Sequence, residues 1–279
     1  MNNAKKAVHC NTDTYSGKGI TIAFLDTGIC SIPDFRGRIL CFKDFLNNKP
    51  HLYDDNGHGT HVAGIASSNG YYKGVAPLSN IVMLKVLNES GQGNAADVIS
   101  GIQWIVNNHK KYNIKIVNMS IGTSAPAQND PLVEAVEHLW DMGIVVVAAA
   151  GNNGPNPCTI SSPGTSRKII TVASSDDENP GKIFSGRGPT KECIIKPDIL
   201  APGTNIISCR CGNGSYKKLS GTSMSTPIVS GAAALLLEKE PDLSPNDVKY
   251  MLKLSSDDLN MAPNRQGWGL LNVENLLNM

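Results

Sequence analysis

Short runs of apolar and β-branched residues recur along the chain, separated by segments rich in polar residues and glycine. Runs of about four to eight such residues are typical of strands that are buried on both faces, as in a parallel sheet. The pattern predicts five buried strands, at residues 20–25, 81–87, 114–121, 143–150 and 169–173.

Most of the segments between these runs have the period of a helix instead. Two of them place apolar residues on one helical face: Val98, Ile102 and Ile105 within 95–108, and Leu132, Val136 and Leu139 within 131–142. Further helices are predicted in the C-terminal third, at residues 222–239, 244–254 and 273–277.

The alternation of strands and helices predicts an α/β fold with three layers, in which helices flank a mostly parallel central sheet. No internal repeat, low-complexity tract or linker rich in proline and glycine interrupts the sequence. We therefore expect residues 1–279 to form a single domain, with residues 1–15 as an N-terminal extension.

Composition and charge exclude several classes of partner. The 279 residues are 41% hydrophobic, which is enough to bury a large core. The net charge is +1 and the charged residues are scattered, so we expect no nucleic-acid partner. The longest apolar runs, at residues 143–150 and 228–237, are about half as long as the roughly 20 residues that span a bilayer, and we expect no membrane partner.

The N-terminus and the cysteines suggest a reducing compartment. Residues 1–6 are not followed by the apolar stretch of a signal peptide, so we expect a cytoplasmic protein; secretion is the alternative if the chain is the trimmed part of a longer precursor. The cysteines are odd in number and lack CxxC spacing, which favours reduced thiols over disulfides or a zinc site. They are Cys10, Cys30, Cys41, Cys158, Cys193, Cys209 and Cys211, of which the last two could form half of a metal site.

Ser223 is the candidate nucleophile. It lies where a loop of small residues gives way to the apolar-periodic helix predicted at 222–239. The first turn of a helix has unpaired N–H groups, which can stabilise the negative charge of a tetrahedral intermediate. Because a serine hydroxyl alone is a weak nucleophile, Ser223 needs a base within hydrogen-bond reach.

Three further residues suit the remaining roles. His58 is the candidate base, since the apolar residues that follow it predict a buried helix that would anchor the ring. Asp26 follows the strand at 20–25 and supplies a carboxylate that can orient His58. Asn152 follows the strand that ends at Ala150 and would add a side-chain amide donor to an oxyanion hole.

Each of these motifs alone admits another interpretation. The serine could be a helix N-cap, and Asp26-Thr27-Gly28 also occurs in aspartic proteases, which need two such carboxylates where this chain has one copy. His58 and His61 could bind a metal, but the glutamate of a His-Glu-x-x-His motif is missing and no third ligand is evident.

Together, the four motifs resemble those of the subtilisin-like serine proteases, in order and spacing, from about residue 16 to residue 277. They are Asp-Thr-Gly-Ile at Asp26, His-Gly-Thr-His-Val-Ala-Gly at His58, Ala-Ala-Gly-Asn at Asn152 and Gly-Thr-Ser-Met-Ser-Thr-Pro at Ser223. The resemblance implies a serine endopeptidase with a triad of Asp26, His58 and Ser223, an oxyanion hole completed by Asn152, and an acyl-enzyme intermediate. The short loop at 67–73 and the missing signal peptide resemble the cytoplasmic branch of the family.

The resemblance also implies where a peptide substrate binds. Two segments should flank it as an added strand: Gly91-Gln92-Gly93 and Ser120-Ile121-Gly122. The second segment, with Asn153 and Ser161, should form the pocket for the residue before the scissile bond; it contains no acidic residue, so an apolar preference is expected. A second pocket near Ala95 and Val98 should admit a bulky hydrophobic group.

No cofactor is expected to be required. Many subtilisins hold a tight calcium ion in a loop after the histidine motif, but the loop at 67–73 is short and carries Lys73, which leaves Asp34 without loop partners. Asp176, Asp177 and Glu178 could hold a weaker calcium ion, although a solvated turn is favoured. The expected partners are polypeptide substrates and a prodomain or protein inhibitor, and we expect a monomer.

Two further functions stay open. A catalytically silent relative could bind peptides as a scaffold, although the intact set of Asp26, His58, Asn152 and Ser223 argues against it. A maturation protease with one physiological substrate would differ from a general degradative enzyme only in its cleavage sites.

Overall fold

The computed structural model describes residues 1–11, 14–123, 130–177, 184–212 and 215–279. Its helices are α1 (Asn2–Ala7), α2 (His58–Ser67), α3 (Ala95–Tyr112), α4 (Pro131–Asp141), α5 (Thr222–Lys239), α6 (Pro245–Ser255), α7 (Pro263–Gln266) and α8 (Val273–Asn278). Its strands are β1 (Thr21–Asp26), β2 (Ile39–Asp44), β3 (Asn80–Lys85), β4 (Ile114–Met119), β5 (Val145–Ala149), β6 (Ile170–Ser174), β7 (Ile199–Ala201), β8 (Ile206–Cys209) and β9 (Tyr216–Leu219).

Seven of these strands form one sheet, in the order β2-β3-β1-β4-β5-β6-β7, and every neighbouring pair is parallel. All residues of β1, β5 and β6 are buried, as expected for strands covered on both faces. Helices α2 and α5 pack together against the sheet, and α3 and α4 form a second pair that contacts it. The predicted α/β fold with a mostly parallel sheet is confirmed.

All the predicted strands and helices are present, with ends that differ by a few residues. The pattern missed β2, β7, β8 and β9, as well as α1 and α7. Strand β2 lies at the edge of the sheet and is mostly half-buried, so it lacks the continuous apolar run that marks the inner strands. Strand β7 has only three residues, and β8 and β9 form a separate antiparallel hairpin whose second strand carries two lysines.

The first residues of the predicted N-terminal extension belong to the core. Met1, Ala4 and Val8 are buried in the main hydrophobic cluster. The amino terminus donates a hydrogen bond to the carbonyl of Ile207 at 3.1 Å, and the Val8 carbonyl accepts one from the N–H of Val273 at 2.9 Å. Helix α1 is therefore docked on the rest of the domain instead of extending away from it.

The prediction of reduced thiols is wrong for one pair of cysteines. Cys30 and Cys211 form a disulfide, with their Cα atoms 5.5 Å apart, that joins the loop after β1 to the loop after β8. The two cysteines are 181 residues apart in the sequence, so no local spacing reveals the pair. The other five cysteines are unpaired. Because Cys211 is bonded to Cys30, the alternative of a metal site built on Cys209 and Cys211 is also wrong.

Loss of this disulfide should destabilise the fold. Replacing both cysteines (Cys30→Ser with Cys211→Ser) should lower the free energy of unfolding by about 2–4 kcal/mol, because the crosslink closes a long loop and restricts the unfolded chain. Urea denaturation measures the change. The exposed, unpaired Cys158 supplies the control, Cys158→Ser, which should leave the midpoint near that of the wild type. Equal midpoints for all three proteins would contradict the prediction.

Candidate active site

A cleft of about 870 Å³ lies at the carboxyl ends of the parallel strands. Functional groups gather at this edge in open α/β sheets. His58, Asn152 and Ser223 line the cleft, and Asp26, the last residue of β1, contacts His58 from below. All ten predicted substrate-contacting residues also line it, namely Gly91, Gln92, Gly93, Ala95, Val98, Ser120, Ile121, Gly122, Asn153 and Ser161.

Asp26 and His58 are joined by a short hydrogen bond. The Asp26 carboxylate is fully buried, and its Oδ1 lies 2.7 Å from Nδ1 of His58, whose side chain is 25% exposed. The N–H of Thr27 donates to the same oxygen at 2.7 Å. Glycine at position 59 permits this approach, since a Cβ there would lie 2.2 Å from the carbonyl oxygen of Gly28.

Asp54 holds the turn after β1 against the start of α2. Its Oδ1 accepts hydrogen bonds from the Thr27 hydroxyl at 2.8 Å and the Gly57 N–H at 2.7 Å, and its Oδ2 accepts from the N–H and the hydroxyl of Thr60. Burial raises the pKa of Asp54, but these donors outweigh it, and the pKa is lowered overall. Asp54 therefore stays ionised and fixes the separation of Asp26 and His58.

The electrostatics around His58 raise its pKa. Burial of the ring lowers the pKa of His58, but the charge and hydrogen bond of Asp26 and the charge of Asp54 raise it more, so that the pKa lies above its ordinary value. An imidazole in this setting accepts a proton more readily than a free one. His58 is thus suited to act as a base that becomes transiently charged.

Ser223 is tied to the end of β4. It is the second residue of α5 and is half-buried, whereas residues 224–237 of the helix are buried. Its hydroxyl donates to the carbonyl of Ser120 at 3.1 Å, and the Ser120 hydroxyl donates to the carbonyl of Ser223 at 2.9 Å. The Ser223 hydroxyl donates its proton to Ser120 and not to His58, and catalytic hydrogen bonds are often long or poorly aligned in unliganded sites.

The amide of Asn152 is held in one orientation. Its Oδ1 accepts hydrogen bonds from the N–H of Thr222 at 3.0 Å and from the Thr222 hydroxyl at 3.1 Å. A backbone N–H can only donate, so the oxygen of the amide must face Thr222 and its NH₂ group faces the cleft beside Ser223. Gly221 makes room for this group, because its φ is +149° and a Cβ there would lie 3.3 Å from Nδ2 of Asn152.

His61 lies beneath the site and has a structural role. Its Nε2 lies 3.2 Å from the carbonyl of Ile206 and 3.1 Å from that of Lys217, so this nitrogen carries the proton and donates. Burial lowers the pKa of His61 to about 3, which keeps the ring neutral. In the described part of the chain, no group of three or more histidine, cysteine or acidic residues is arranged to hold a metal ion.

Asp34, expected to lack loop partners, has three protein donors. The Ser68 and Tyr216 hydroxyls each lie 3.0 Å from Oδ1 of Asp34, and the Cys209 thiol lies 3.3 Å from it. Burial, together with the hydrogen bond to Asp34, raises the pKa of Tyr216, so the phenol stays protonated as a donor. All three donors bind the same carboxylate oxygen, Oδ1.

The other candidate cation site is a turn with internal hydrogen bonds. Asp176 is exposed, in agreement with the predicted solvated turn, and its Oδ1 accepts from the Gly203 N–H at 2.7 Å. Asp177 departs from that prediction, because it is buried and its Oδ2 accepts from the Ser185 N–H at 2.9 Å. Glu178 lies outside the described residues.

Sequence reasoning missed several residues that build the site. Asp54 and Thr222 fix the geometry of His58 and Asn152, while Asn56 and Leu87 line the cleft. Thr222 was visible only as part of the serine motif and Asp54 only as a neighbour of the histidine motif, since nothing in the local pattern shows that each contacts a residue far away in the sequence.

Comparisons with known proteins point to one family. The Subtilase family profile matches residues 17–269. Serine protease AprX of Bacillus subtilis is 47% identical, and the match covers 98% of this chain and 69% of that protein. Subtilisin Savinase of Lederbergia lenta is 37% identical, and the match covers 93% of this chain and 91% of that protein. Among solved structures, sphericase superimposes with a TM-score of 0.83 at 32% identity, covering 97% of both chains. A cold-adapted subtilisin-like serine proteinase gives 0.79 at 34% identity, covering 93% of this chain and 90% of that one.

Neutralising Asp26 should lower the pKa of His58. In Asp26→Asn the negative charge that stabilises the imidazolium is gone, so the ring should lose its proton at a lower pH than in the wild type. A pH titration of the His58 resonances by NMR measures the change. Asp141→Asn is the control, since Asp141 pairs with Lys168 at the surface. An unchanged His58 pKa in Asp26→Asn would show that the carboxylate does not set it.

Proposed function

The chain belongs to the subtilase family and is a serine-type endopeptidase, and we propose that it cleaves proteins with Asp26, His58 and Ser223 as its catalytic triad. The observation that carries this proposal is the 2.7 Å hydrogen bond between the buried Asp26 carboxylate and His58 in the same cleft as Ser223. A buried carboxylate on Nδ1 fixes the tautomer in which Nε2 is free to accept a proton.

The reaction then proceeds in two halves. Nε2 of His58 takes the proton of the Ser223 hydroxyl as its Oγ attacks the peptide carbonyl carbon, and the resulting imidazolium is stabilised by Asp26. His58 next gives this proton to the leaving amine, the C–N bond breaks, and an acyl group remains on Ser223. Water, activated by His58 in the same way, hydrolyses the ester and restores the hydroxyl.

Asn152 and the start of α5 are proposed to form the oxyanion hole. The NH₂ group of Asn152 faces the cleft because Thr222 holds its oxygen. The N–H of Ser223 lies in the first turn of α5, where a helix offers no internal acceptor. Two donors that are fixed before the reaction can bind the developing negative charge without reorganising.

The lining of the cleft supports an apolar preference before the scissile bond. Among the described residues that line it, His58 is the only one with an ionisable side chain. Ser161 fills the floor of the pocket, since a Cβ at Gly151 would lie 2.1 Å from its Oγ and a Cβ at Gly122 would lie 2.9 Å from its Cβ. Ala95, Val98 and Leu132 contribute apolar surface at a second position. A cleavage-site profile measures the preference at both substrate positions.

Two segments that line the cleft support binding of the substrate as an added strand. Gly91, Gln92 and Gly93 are exposed, and the two glycines carry no side chain that would keep a substrate backbone away. Ser120 and Gly122 line the opposite side of the cleft. Main-chain pairing of this kind gives affinity with little sequence preference. A prodomain or protein inhibitor would bind along the same segments.

Location and assembly stay proposals as well. We propose action as a monomer without a required cofactor, and with a cytoplasmic location to which secretion is the alternative. The Cys30–Cys211 disulfide favours the alternative, because cytosolic thiols are kept reduced, whereas the five unpaired cysteines favour the cytoplasm. In the described part of the chain, no helix combines the length and the apolar character that a bilayer crossing needs.

A fluorophosphonate should label one residue. The intact mass of the wild type should increase by a single adduct, and Ser223→Ala should remain unlabelled because the activated hydroxyl is missing. The matched control is Ser225→Ala, which removes a buried hydroxyl from the same helix and should still be labelled. No adduct on folded wild-type protein would instead support a catalytically silent relative that binds peptides.

Removing the side-chain donor of the oxyanion hole should slow the chemical step. Asn152→Ala should lower kcat by about 10²–10³-fold with little change in KM, the loss measured when such a donor is removed from subtilisin. Thr222→Val is the matched control: it removes the hydroxyl but keeps the N–H that orients Asn152, so its loss should be much smaller. A change in KM alone would contradict the assignment.

A further inference from the structure

Lys85 places a cation inside the protein next to the proposed triad. It is the last residue of β3, is fully buried, and pairs in the sheet with Asp26 at the end of β1. Its ammonium donates to the carbonyl of Thr27 at 2.6 Å, to the carbonyl of Leu87 at 2.8 Å and to Oδ1 of Asp55 at 2.7 Å. All three of its N–H groups therefore have an acceptor.

These three acceptors belong to three different parts of the site. Thr27 follows Asp26 directly, and its N–H donates to the Asp26 carboxylate. Asp55 lies in the loop that leads into α2, three residues before His58. Leu87 lines the substrate cleft, and its own N–H donates to the carbonyl of Asp26 at 3.2 Å. The ammonium group of Lys85 thus connects the turn after Asp26, the loop before His58 and the wall of the cleft.

A side chain with several hydrogen-bond donors suits this position. Two buried carbonyl oxygens and one carboxylate converge on the Lys85 side chain, and each needs a donor. An apolar side chain of similar size would leave the two carbonyls unpaired, so the turn at Thr27 and the segment at Leu87 would have to move to find other donors. A shift of this kind acts directly on the Asp26–His58 contact.

We propose that Lys85 is a positioning residue for catalysis, which holds the Asp26 turn and the His58 loop at the separation that their hydrogen bond requires. Asp54 joins the same two segments from the Thr60 side, and Lys85 joins them from the Leu87 side. The inference rests on the proposed roles of Asp26 and His58. It adds one requirement to the triad, which is a buried ammonium group at the end of β3.

Lys196 provides a matched control elsewhere in the fold. Its side chain is 1% exposed, and its ammonium also donates to three oxygens, the Ile169 carbonyl at 3.1 Å, the Thr171 hydroxyl at 2.9 Å and Oδ2 of Asp198 at 2.6 Å. None of these three partners lines the cleft. Lys85→Met and Lys196→Met therefore remove the same kind of buried cation, but only the first removes it from the site.

The two variants should differ in kcat and not merely in stability. Both should unfold at a lower temperature than the wild type. Measured well below their melting temperatures and per folded molecule, Lys85→Met should lower kcat by about 10–10²-fold with a much smaller change in KM, since small displacements of catalytic groups cost about that much. Lys196→Met should keep a wild-type kcat. Equal kcat values for both variants would overturn the proposal.

A spectroscopic signal tests the geometry without activity. The low-field NMR resonance of the proton between His58 and Asp26 should shift or broaden in Lys85→Met and stay unchanged in Lys196→Met. An unchanged resonance in both variants would also overturn the proposal. If Lys85→Met does not fold, Asp55→Ala replaces it, because Asp55 is 36% exposed and its loss weakens the same contact. It should lower kcat several-fold, and a wild-type kcat would overturn the proposal.

A parallel measurement separates the positioning role of Lys85 from the triad assignment. Asp26→Asn should be nearly inactive if the triad is assigned correctly. If Asp26→Asn keeps full activity, the triad assignment fails. If Asp26→Asn is inactive and Lys85→Met has a wild-type kcat, the positioning role alone fails.

Discussion

Parallel pairing of β1 with β3 and β4 is the constraint on which the rest of the site depends. Parallel strands end at the same edge of a sheet, so the residues that follow β1, β3, β4 and β5 must meet there. Asp26, Ser120 and Asn152 reach one cleft for this reason alone. A slip of one residue would move every side chain of β1, all of which are buried, to the opposite face of the sheet, where the core would have to repack around it.

The two helices that carry His58 and Ser223 are fastened to this edge by polar contacts. Helix α2 is held at its start by Asp54, whose carboxylate receives the N–H groups of Gly57 and Thr60. Helix α5 is held through Ser120, which exchanges two hydrogen bonds with Ser223. The helices themselves pack together against the sheet, so their first turns cannot move independently. Rigid elements therefore position Ser223, the proposed nucleophile, and His58, the proposed base, while the exposed segment at Gly91–Gly93 forms one side of the cleft.

Charge inside the protein is arranged around these contacts. Asp26, Asp54 and Lys85 are all buried near this edge of the sheet. The two carboxylates accept hydrogen bonds from neighbouring donors, and the ammonium group of Lys85 donates to neighbouring oxygens. A buried charge without such partners would be expensive, so each of these three groups depends on its own partners being in place. Lys196 and Asp198 form a comparable pair at the far end of the sheet, which shows that this fold uses buried ion pairs for structure as well as near the cleft.

The sequence by itself determined the fold class, the inner strands, the main helices and the family, because continuous apolar runs, helical periods and four motifs are local signals. Through resemblance it also named ten substrate-contacting residues that line the cleft, but not Asn56 or Leu87. Only the tertiary structure decided the edge strand β2, the docking of α1, the Cys30–Cys211 disulfide and the partners of Asp34, Asp54, Asp177 and Lys85. Each of these depends on contacts between residues that are distant in the chain, and side-chain chemistry alone does not say which distant residue will be the partner.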